Sequence, residues 1–129
     1  MRKEIEINGI DTTDICGPAG YEVTYEKVIG PNSGIMMNGL EIEDVIAIRA
    51  VIKHPLLPTT EEKAAAFLEN VYSAPYAQVR FYDLKSMSYK TISCIYEEIQ
   101  SRHLLTSIDG NDYWYLGTFV FRDREGEPV

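Results

Sequence analysis

The segment from Thr59 to Tyr72, TTEEKAAAFLENVY, is the strongest helix signal in the chain. Its apolar residues recur at i, i+3, i+4, i+7 and i+8, which places them on one face of a helix: Ala64, Phe67, Leu68, Val71 and Tyr72. Thr59 and Glu62 have the spacing of a capping box. Pro58 and Pro75 flank the segment and oppose its extension, because proline has no backbone N–H. We predict one helix, at about residues 59–72.

Most of the remaining chain shows the alternation of β-strands, in which every second side chain faces the same way. The segments with this pattern are 3–8, 21–29, 44–57, 76–83, 89–99 and 113–122. The chain lacks the strand–helix–strand repetition that indicates a parallel sheet. We therefore predict a mainly β (α+β) fold, an antiparallel β-sandwich or open barrel with one packed α-helix.

The chain has 129 residues, which fits one domain. We place this β-rich domain at residues 1–124 and expect a polar, flexible tail at 125–129. Cys16 and Cys94 lie far apart and form no CxxC pair, which favours free thiols in a reducing compartment.

The formal net charge is −8, which disfavours direct nucleic-acid binding because such surfaces need clustered Lys and Arg. No segment reaches the roughly 18 consecutive apolar residues of a membrane span. The first residues, MRKEIEING, lack the apolar core of a signal peptide. We expect a protein made and retained in the cytoplasm, with no membrane partner.

Residue types that often carry catalysis are present without an evident partner set. His54 and His103 are separated by the predicted helix and at least two strands, and neither has a Cys, His or carboxylate at ligand spacing. Cys16 precedes Gly17-Pro18 in a predicted loop and becomes a nucleophile only if a base approaches it. We predict no enzymatic activity, no metal and no cofactor, and retain a hydrolase that uses Cys16 or a histidine as a competing hypothesis.

Asp109, Asn111 and Asp112 resemble the oxygen-rich start of a calcium loop, but Tyr113 and Trp114 follow where further ligands would be needed. Because Asp-Gly is a strong hairpin signal, we interpret this stretch as a turn.

The loop from Gly30 to Gly39, GPNSGIMMNG, has three apolar residues at its centre: Ile35, Met36 and Met37. Apolar side chains at a loop tip have few contacts available in a monomer. Either the loop folds back over the core or another chain covers it. We treat these three residues as a candidate assembly loop.

Tyrosines on the predicted strands suggest a different function. They are Tyr21, Tyr25, Tyr82, Tyr89, Tyr96, Tyr113 and Tyr115. Because no basic residues accompany them, sheet-surface or subunit contacts are favoured over stacking on nucleic-acid bases. The alternative function is a small-ligand or carbohydrate-binding β domain that uses these surface aromatics and Trp114.

Several short strings resemble a family of small tail proteins of bacteriophages and prophages of Gram-positive bacteria with long non-contractile tails. The strings are IEINGID at 5–11, VRFYD at 79–83, SYKTISCIY at 88–96 and FVFRDRE at 119–125. A strand at 21–29 and the threonine-capped, Glu-rich helix complete the pattern. The resemblance covers most of the chain and departs from the family at 29–40 and 101–110.

The resemblance implies a phage tail-tube-like fold, a β-sandwich or barrel flanked by a helix. It also implies a structural virion component whose partners are copies of itself, in rings or other homo-oligomers, and other phage tail proteins. Such a protein is located in the host bacterial cytoplasm during assembly and then in the virion tail.

Replacing both loop methionines, Met36→Asp with Met37→Asp, tests the candidate assembly loop. If another chain covers the loop, the double variant stays folded by circular dichroism but assembles more weakly in sedimentation velocity, because charged side chains oppose apolar burial. Loss of folding would instead show that these side chains belong to the core.

Overall fold

The computed structural model describes residues 3–18, 20–30, 34–35, 39–42, 44–104 and 112–128. One α-helix, α1, spans Glu61–Val71. The strands are β1 (Glu6–Ile7), β2 (Ile10–Asp11), β3 (Glu22–Ile29), β4 (Gly34–Ile35), β5 (Glu41–Ile42), β6 (Val45–Pro55), β7 (Thr59–Thr60), β8 (Ala77–Asp83), β9 (Ser88–Tyr96), β10 (Arg102–Leu104), β11 (Tyr113–Tyr115), β12 (Thr118–Asp123) and β13 (Glu127–Pro128).

The long strand β6 is the centre of the main sheet. One edge of β6 pairs with β3 over most of the length of β6, from Lys53 opposite Glu22 to Val45 opposite Ile29. Its other edge pairs with β12 and β13. From β12 the sheet continues through β9, β8, β1 and β2, and every pairing is antiparallel. The predicted mainly β, antiparallel α+β architecture is confirmed.

The main sheet curls into an open barrel. Strands β3 and β8 are separated by β6, β12 and β9 along the sheet. Tyr21, just before β3, nevertheless accepts a hydrogen bond from the backbone N–H of Tyr82, and Tyr25 of β3 donates one to Asp83. The two strands therefore face each other across the line where the barrel would close, which we call the seam.

Helix α1 packs against the barrel interior through the face that its periodicity predicts. Ala64, Phe67 and Val71 are buried. The Phe67 ring lies 5.6 Å from Phe119 of β12, and Phe119 stacks on Phe121 at 5.0 Å. At roughly 25 cal/mol for each Å² of apolar surface removed from water, this cluster is a main source of stability.

The helix begins one residue later than the capping-box spacing predicts. Thr60 is the residue before the first turn, and its side chain makes no capping hydrogen bond. Thr59 is buried in β7, opposite Trp114 of β11. The capping-box prediction was wrong because strand pairing with β11 holds Thr59 in extended conformation.

The aromatic segment predicted as one strand at 113–122 forms two strands in different sheets. Strand β11 pairs with β10 and β7, whereas β12 belongs to the main sheet. Gly117 lies between them with φ of +73°, in the left-handed region that favours glycine. The chain changes sheet at this residue.

The segment expected to be a flexible tail, 125–129, includes the short strand β13. Glu127 lies opposite Ile48 of β6, and its carboxylate pairs with Lys85 and Lys90. Gly126 precedes this strand with φ of +81°, and a Cβ there would approach the Ile48 carbonyl oxygen at 3.0 Å.

His54 lies fully buried in the core beside Phe67. The Thr12 hydroxyl donates to the Ile5 carbonyl at 3.1 Å, so it accepts a hydrogen bond from the His54 Nε2–H at 2.9 Å. His54 Nδ1 has no hydrogen-bond partner among the described residues. Burial lowers the pKa of His54 from 6.5 to about 4, which keeps the ring neutral.

We expect mild acid to destabilise the protein through His54. Because the pKa is lower in the folded state, the unfolded chain binds more protons below pH about 6.5, and stability is lost as pH falls toward about 4. The loss by pH 5 is about 2 kcal/mol at most. Urea unfolding at pH 7 and pH 5 measures it.

In the same experiment, His54→Gln should remove most of this pH dependence, and His103→Gln, on the surface, should retain it. Equal pH dependence in all three proteins would contradict the assignment to His54.

Candidate protein interaction surface

Strand β3 leaves one backbone edge open. It pairs with β6 along eight residues, and β6 is its one partner strand among the described residues. On the other side, the segment from Glu22 to Glu26 faces the seam. Unpaired N–H and C=O groups of an edge strand are a template for pairing with another chain. The geometry of β3 is therefore suited to strand addition.

Two tyrosine hydroxyl groups bridge the seam beneath this edge. The Tyr21 hydroxyl accepts a hydrogen bond from the Tyr82 backbone N–H at 3.1 Å and donates to the Glu4 carbonyl at 3.1 Å. The Tyr25 hydroxyl donates to the Asp83 carboxylate and accepts from the Lys85 backbone N–H at 3.3 Å. The polar groups of the β8 side thus have partners, although no strand pairs with them there.

The Asp83 carboxylate, which accepts the hydrogen bond from Tyr25, is almost completely buried. It accepts hydrogen bonds from Tyr25 and from Ser86 Oγ at 2.9 Å, and Lys90 Nζ lies at 3.2 Å. Burial alone would raise the pKa of Asp83, but these three donors outweigh it and hold the pKa below its usual value. Asp83 is therefore a structural carboxylate that stays ionised.

Lys90 connects this carboxylate to the C-terminal strand. Its ammonium pairs with Glu127 as well as Asp83, and both raise the pKa of Lys90. Hydrogen bonds from Lys90 and Lys85 lower the pKa of Glu127. The cluster joins β8, β9 and β13 through ion pairs, which is the arrangement of a structural ion network.

A groove of about 550 Å³ lies along the seam. Its walls are mainly apolar and include Tyr21, Val23 and Tyr25 of β3 and Tyr82 and Leu84 on the β8 side. Leu84 is 73% exposed, so the groove is open to solvent at this wall. An open apolar groove beside an unpaired strand edge has the character of a binding surface.

Lys3 is the charged residue in the lining of the groove, and the Asp83 carboxylate contacts the hydroxyl group of Tyr25. Lys3 Nζ lies 4.0 Å from the centre of the Tyr82 ring, and Lys85 Nζ lies 6.0 Å from that of Tyr25. Glu22 and Glu26 alternate with Val23 and Tyr25 along β3, so they point to the opposite face of the strand. A partner in this groove therefore meets Lys3, while Glu22 and Glu26 point away from it.

At the far end of the β3–β6 ribbon, strands β4 and β5 pair with each other. We call β4, β5 and Leu40 the arm. Four apolar side chains at this end of the ribbon are 43–57% exposed: Ile29, Leu40, Ile42 and Ile46. In the candidate assembly loop, the backbone of Ile35 lies in β4, while Met36 and Met37 lie outside the described residues.

The structure separates the two histidines and gives one of them a carboxylate partner. His103 Nε2 lies 3.2 Å from Asp112 Oδ1, because β10 and β11 pair side by side. The expectation that neither histidine has a carboxylate nearby was wrong for His103. Both groups are exposed, and within the described residues no three His, Cys, Asp or Glu side chains converge as a metal site requires.

The two cysteines are buried. Cys94 lies in β9 as part of the core, and burial raises its pKa to about 12, so the reactive thiolate is disfavoured. Cys16 is 3% exposed and its backbone bridges to Leu56, so it is not the exposed nucleophile that its loop position allowed. The turn interpretation of 109–111 concerns residues outside the described ranges.

The tyrosines do not form one platform. Tyr21, Tyr25 and Tyr82 line the groove, Tyr72 and Tyr96 pack edge to face at 5.3 Å, and Trp114 lies in the smaller sheet beside His103. Sequence analysis selected the tyrosines of the groove but missed Leu84 and Lys3, whose neighbours are distant in the sequence.

Tyr21→Phe tests whether the hydroxyl bridges hold the seam. The variant leaves the Tyr82 N–H and the Glu4 carbonyl without their partner, so we expect a loss of about 1 kcal/mol in the free energy of unfolding by urea. Tyr76→Phe is the matched control, because the ring contact of Tyr76 with Arg124 does not require the hydroxyl. Equal stability of the two variants would contradict a role for the bridge.

No helix in the described part of the chain is long and apolar enough to cross a membrane. No protein-family model matches the chain, and no curated protein matches it. Among solved structures, it is similar to the Dit (gp 19.1) protein of SPP1, described as a paradigm of the hub adsorption apparatus in phages that infect Gram-positive bacteria. The TM-score is 0.42 and the identity 17%, over 97% of this chain and 50% of that one. The chain thus spans about half the length of that protein, and this remote similarity carries no argument about function.

Proposed function

We propose that this protein is a non-catalytic structural component of a phage or prophage tail, which assembles with copies of itself or docks to other tail proteins. The observation that carries the assembly part is the open edge of β3 beside an apolar groove. The virion part rests on the resemblance of the strings at 5–11, 79–83, 88–96 and 119–125 to phage tail proteins.

The open edge and the groove support assembly through two different interactions. Backbone hydrogen bonds to β3 supply affinity that is largely independent of sequence, and the groove supplies a pocket for alternate side chains. Exposed apolar side chains at the far end of the ribbon supply a second surface. A protein with two distinct adhesive surfaces can form head-to-tail contacts, which close into rings or continue as filaments.

The polar clusters of the molecule are consistent with a structural role. The Asp83 carboxylate is hydrogen-bonded to Tyr25 and Ser86 and ion-paired with Lys90. His54 is buried and neutral, whereas a general base needs access to a substrate. The ionisable groups thus stabilise the barrel, and the function is assigned to its surface.

We further propose that the candidate assembly loop at Ile35, Met36 and Met37 contributes to these contacts. Its position next to the exposed Leu40 and Ile42 would extend the same apolar surface. Assembly would take place in the host bacterial cytoplasm, with other tail proteins as further partners and the virion tail as the final location.

The groove also favours a second candidate, a small-ligand or carbohydrate-binding β domain. Three tyrosines line it, and aromatic rings commonly stack on sugars and apolar ligands. The hydroxyl groups of Tyr21 and Tyr25 are already hydrogen-bonded within the chain, so such a ligand would contact their rings.

Sedimentation velocity over a concentration series, with electron microscopy of the largest species, tests the proposal. We expect oligomers that grow with protein concentration, including rings. A wild-type chain that remains monomeric and binds no purified tail protein of the same phage or prophage would contradict it. Saturable shifts of the Tyr21 and Tyr25 ring resonances by an oligosaccharide panel, together with a strict monomer, would instead support the ligand-binding candidate.

A further inference from the structure

We propose that the arm of one copy adds to the open edge of β3 in the next copy and covers its groove. This inference rests on the proposed assembly function and names the surfaces that meet. The arm strand β5 pairs with β4 and with no other strand in the described part of the chain, which leaves its second edge without a described partner strand. Two open strand edges on one chain can pair between copies through backbone hydrogen bonds.

The apolar surfaces of the two sites are complementary. Leu40 is 57% exposed and Ile42 is 43% exposed, and they lie two residues apart, on one side of an extended segment. The groove presents Val23, Tyr82 and Leu84 at the seam. Placing the two arm side chains in the groove removes apolar surface from water on both partners, which is the main driving force of association.

The charges of the two sites are also complementary. Glu41 lies between Leu40 and Ile42 and is exposed. The lining of the groove includes Lys3, whose ammonium lies 4.0 Å from the centre of the Tyr82 ring. An acidic, apolar segment is therefore the occupant whose charge fits this groove, and opposite charges favour this register over its alternatives.

The position of the two sites indicates a contact between copies. The groove contacts β3 at Val23 and Tyr25, whereas the arm begins beyond Ile29 at the other end of the strand. Six residues of extended strand separate Val23 from Ile29, a distance of roughly 20 Å. The arm and the groove thus lie at different places along β3, and an arm that pairs with the groove of another copy produces a head-to-tail contact.

A mixing experiment tests this contact. The arm variant carries Leu40→Asp and Ile42→Asp, and the groove variant carries Leu84→Asp. Each retains one intact surface. We expect each variant alone to assemble at least about tenfold more weakly than the wild type. An equimolar mixture should form a heterodimer and no larger species, because one intact arm meets one intact groove.

Matched controls separate this effect from a general effect of added charge. Met87→Asp is the control for the groove variant, because Met87 is 74% exposed on the same turn and outside the groove. Ile95→Asp is the control for the arm variant, since Ile95 is 47% exposed on β9. Both controls should assemble like the wild type, and circular dichroism should show the native fold in every variant.

Charge reversal gives an independent test of the pairing. Glu41→Lys alone and Lys3→Glu alone should each weaken assembly, and the double variant should restore part of it. Restoration is expected only if the arm lies next to the groove, because a general effect of charge would add in the double variant.

The outcomes distinguish failure of this inference from failure of the proposed function. If the wild type assembles and the arm and groove variants assemble equally well, the contact is overturned and the assembly function stands. If the variants weaken assembly but the mixture recovers no heterodimer, head-to-tail pairing is overturned. If the wild type stays monomeric, the contact is overturned, and binding to purified tail proteins then decides the proposed function.

Discussion

Tyrosine hydroxyl groups, rather than a ladder of backbone hydrogen bonds, connect the two sides of the barrel seam. This kind of closure determines which strand edge is left without a partner strand. Tyr21 and Tyr25 give partners to the Tyr82 and Lys85 N–H groups of the opposite side. These backbone groups of the seam thus have partners within the chain. The backbone groups on the free edge of β3 take no part in this closure. A barrel with a complete ladder would have no open edge.

The local sequence pattern predicted well those features of the fold that depend on a single helix or strand. The buried face of α1 follows from the spacing of Ala64, Phe67 and Val71, and β6 follows from its length and alternation. The predictions were wrong where pairing between segments distant in the sequence determines the structure. Pairing with β11 holds Thr59 in a strand, so Thr59 does not cap the helix. The change of sheet at Gly117 lies within an aromatic segment whose alternation predicts a single strand.

The candidate surface was harder to predict, because its walls come from parts of the chain that are distant in sequence. The alternation of Tyr21, Val23 and Tyr25 indicates a shared face, but only the curl of the sheet brings that face to Tyr82 and Leu84. The proximity of His103 and Asp112 has the same origin, since hairpin pairing places residues nine positions apart side by side. Sequence spacing carries no information about such long-range register.

An open strand edge is also a risk, because it can pair with any extended chain. In this protein, Glu22 and Glu26 lie on the outward face of β3, and Glu26 pairs with Arg49 of β6. Charges on an edge strand oppose non-specific pairing, since a partner must either match them or leave them unpaired. In the proposed strand addition, Lys3 at the groove and the carboxylates on the strand would narrow the set of acceptable partners. The selectivity of the edge would then come from charge, and its affinity from the backbone and the apolar groove.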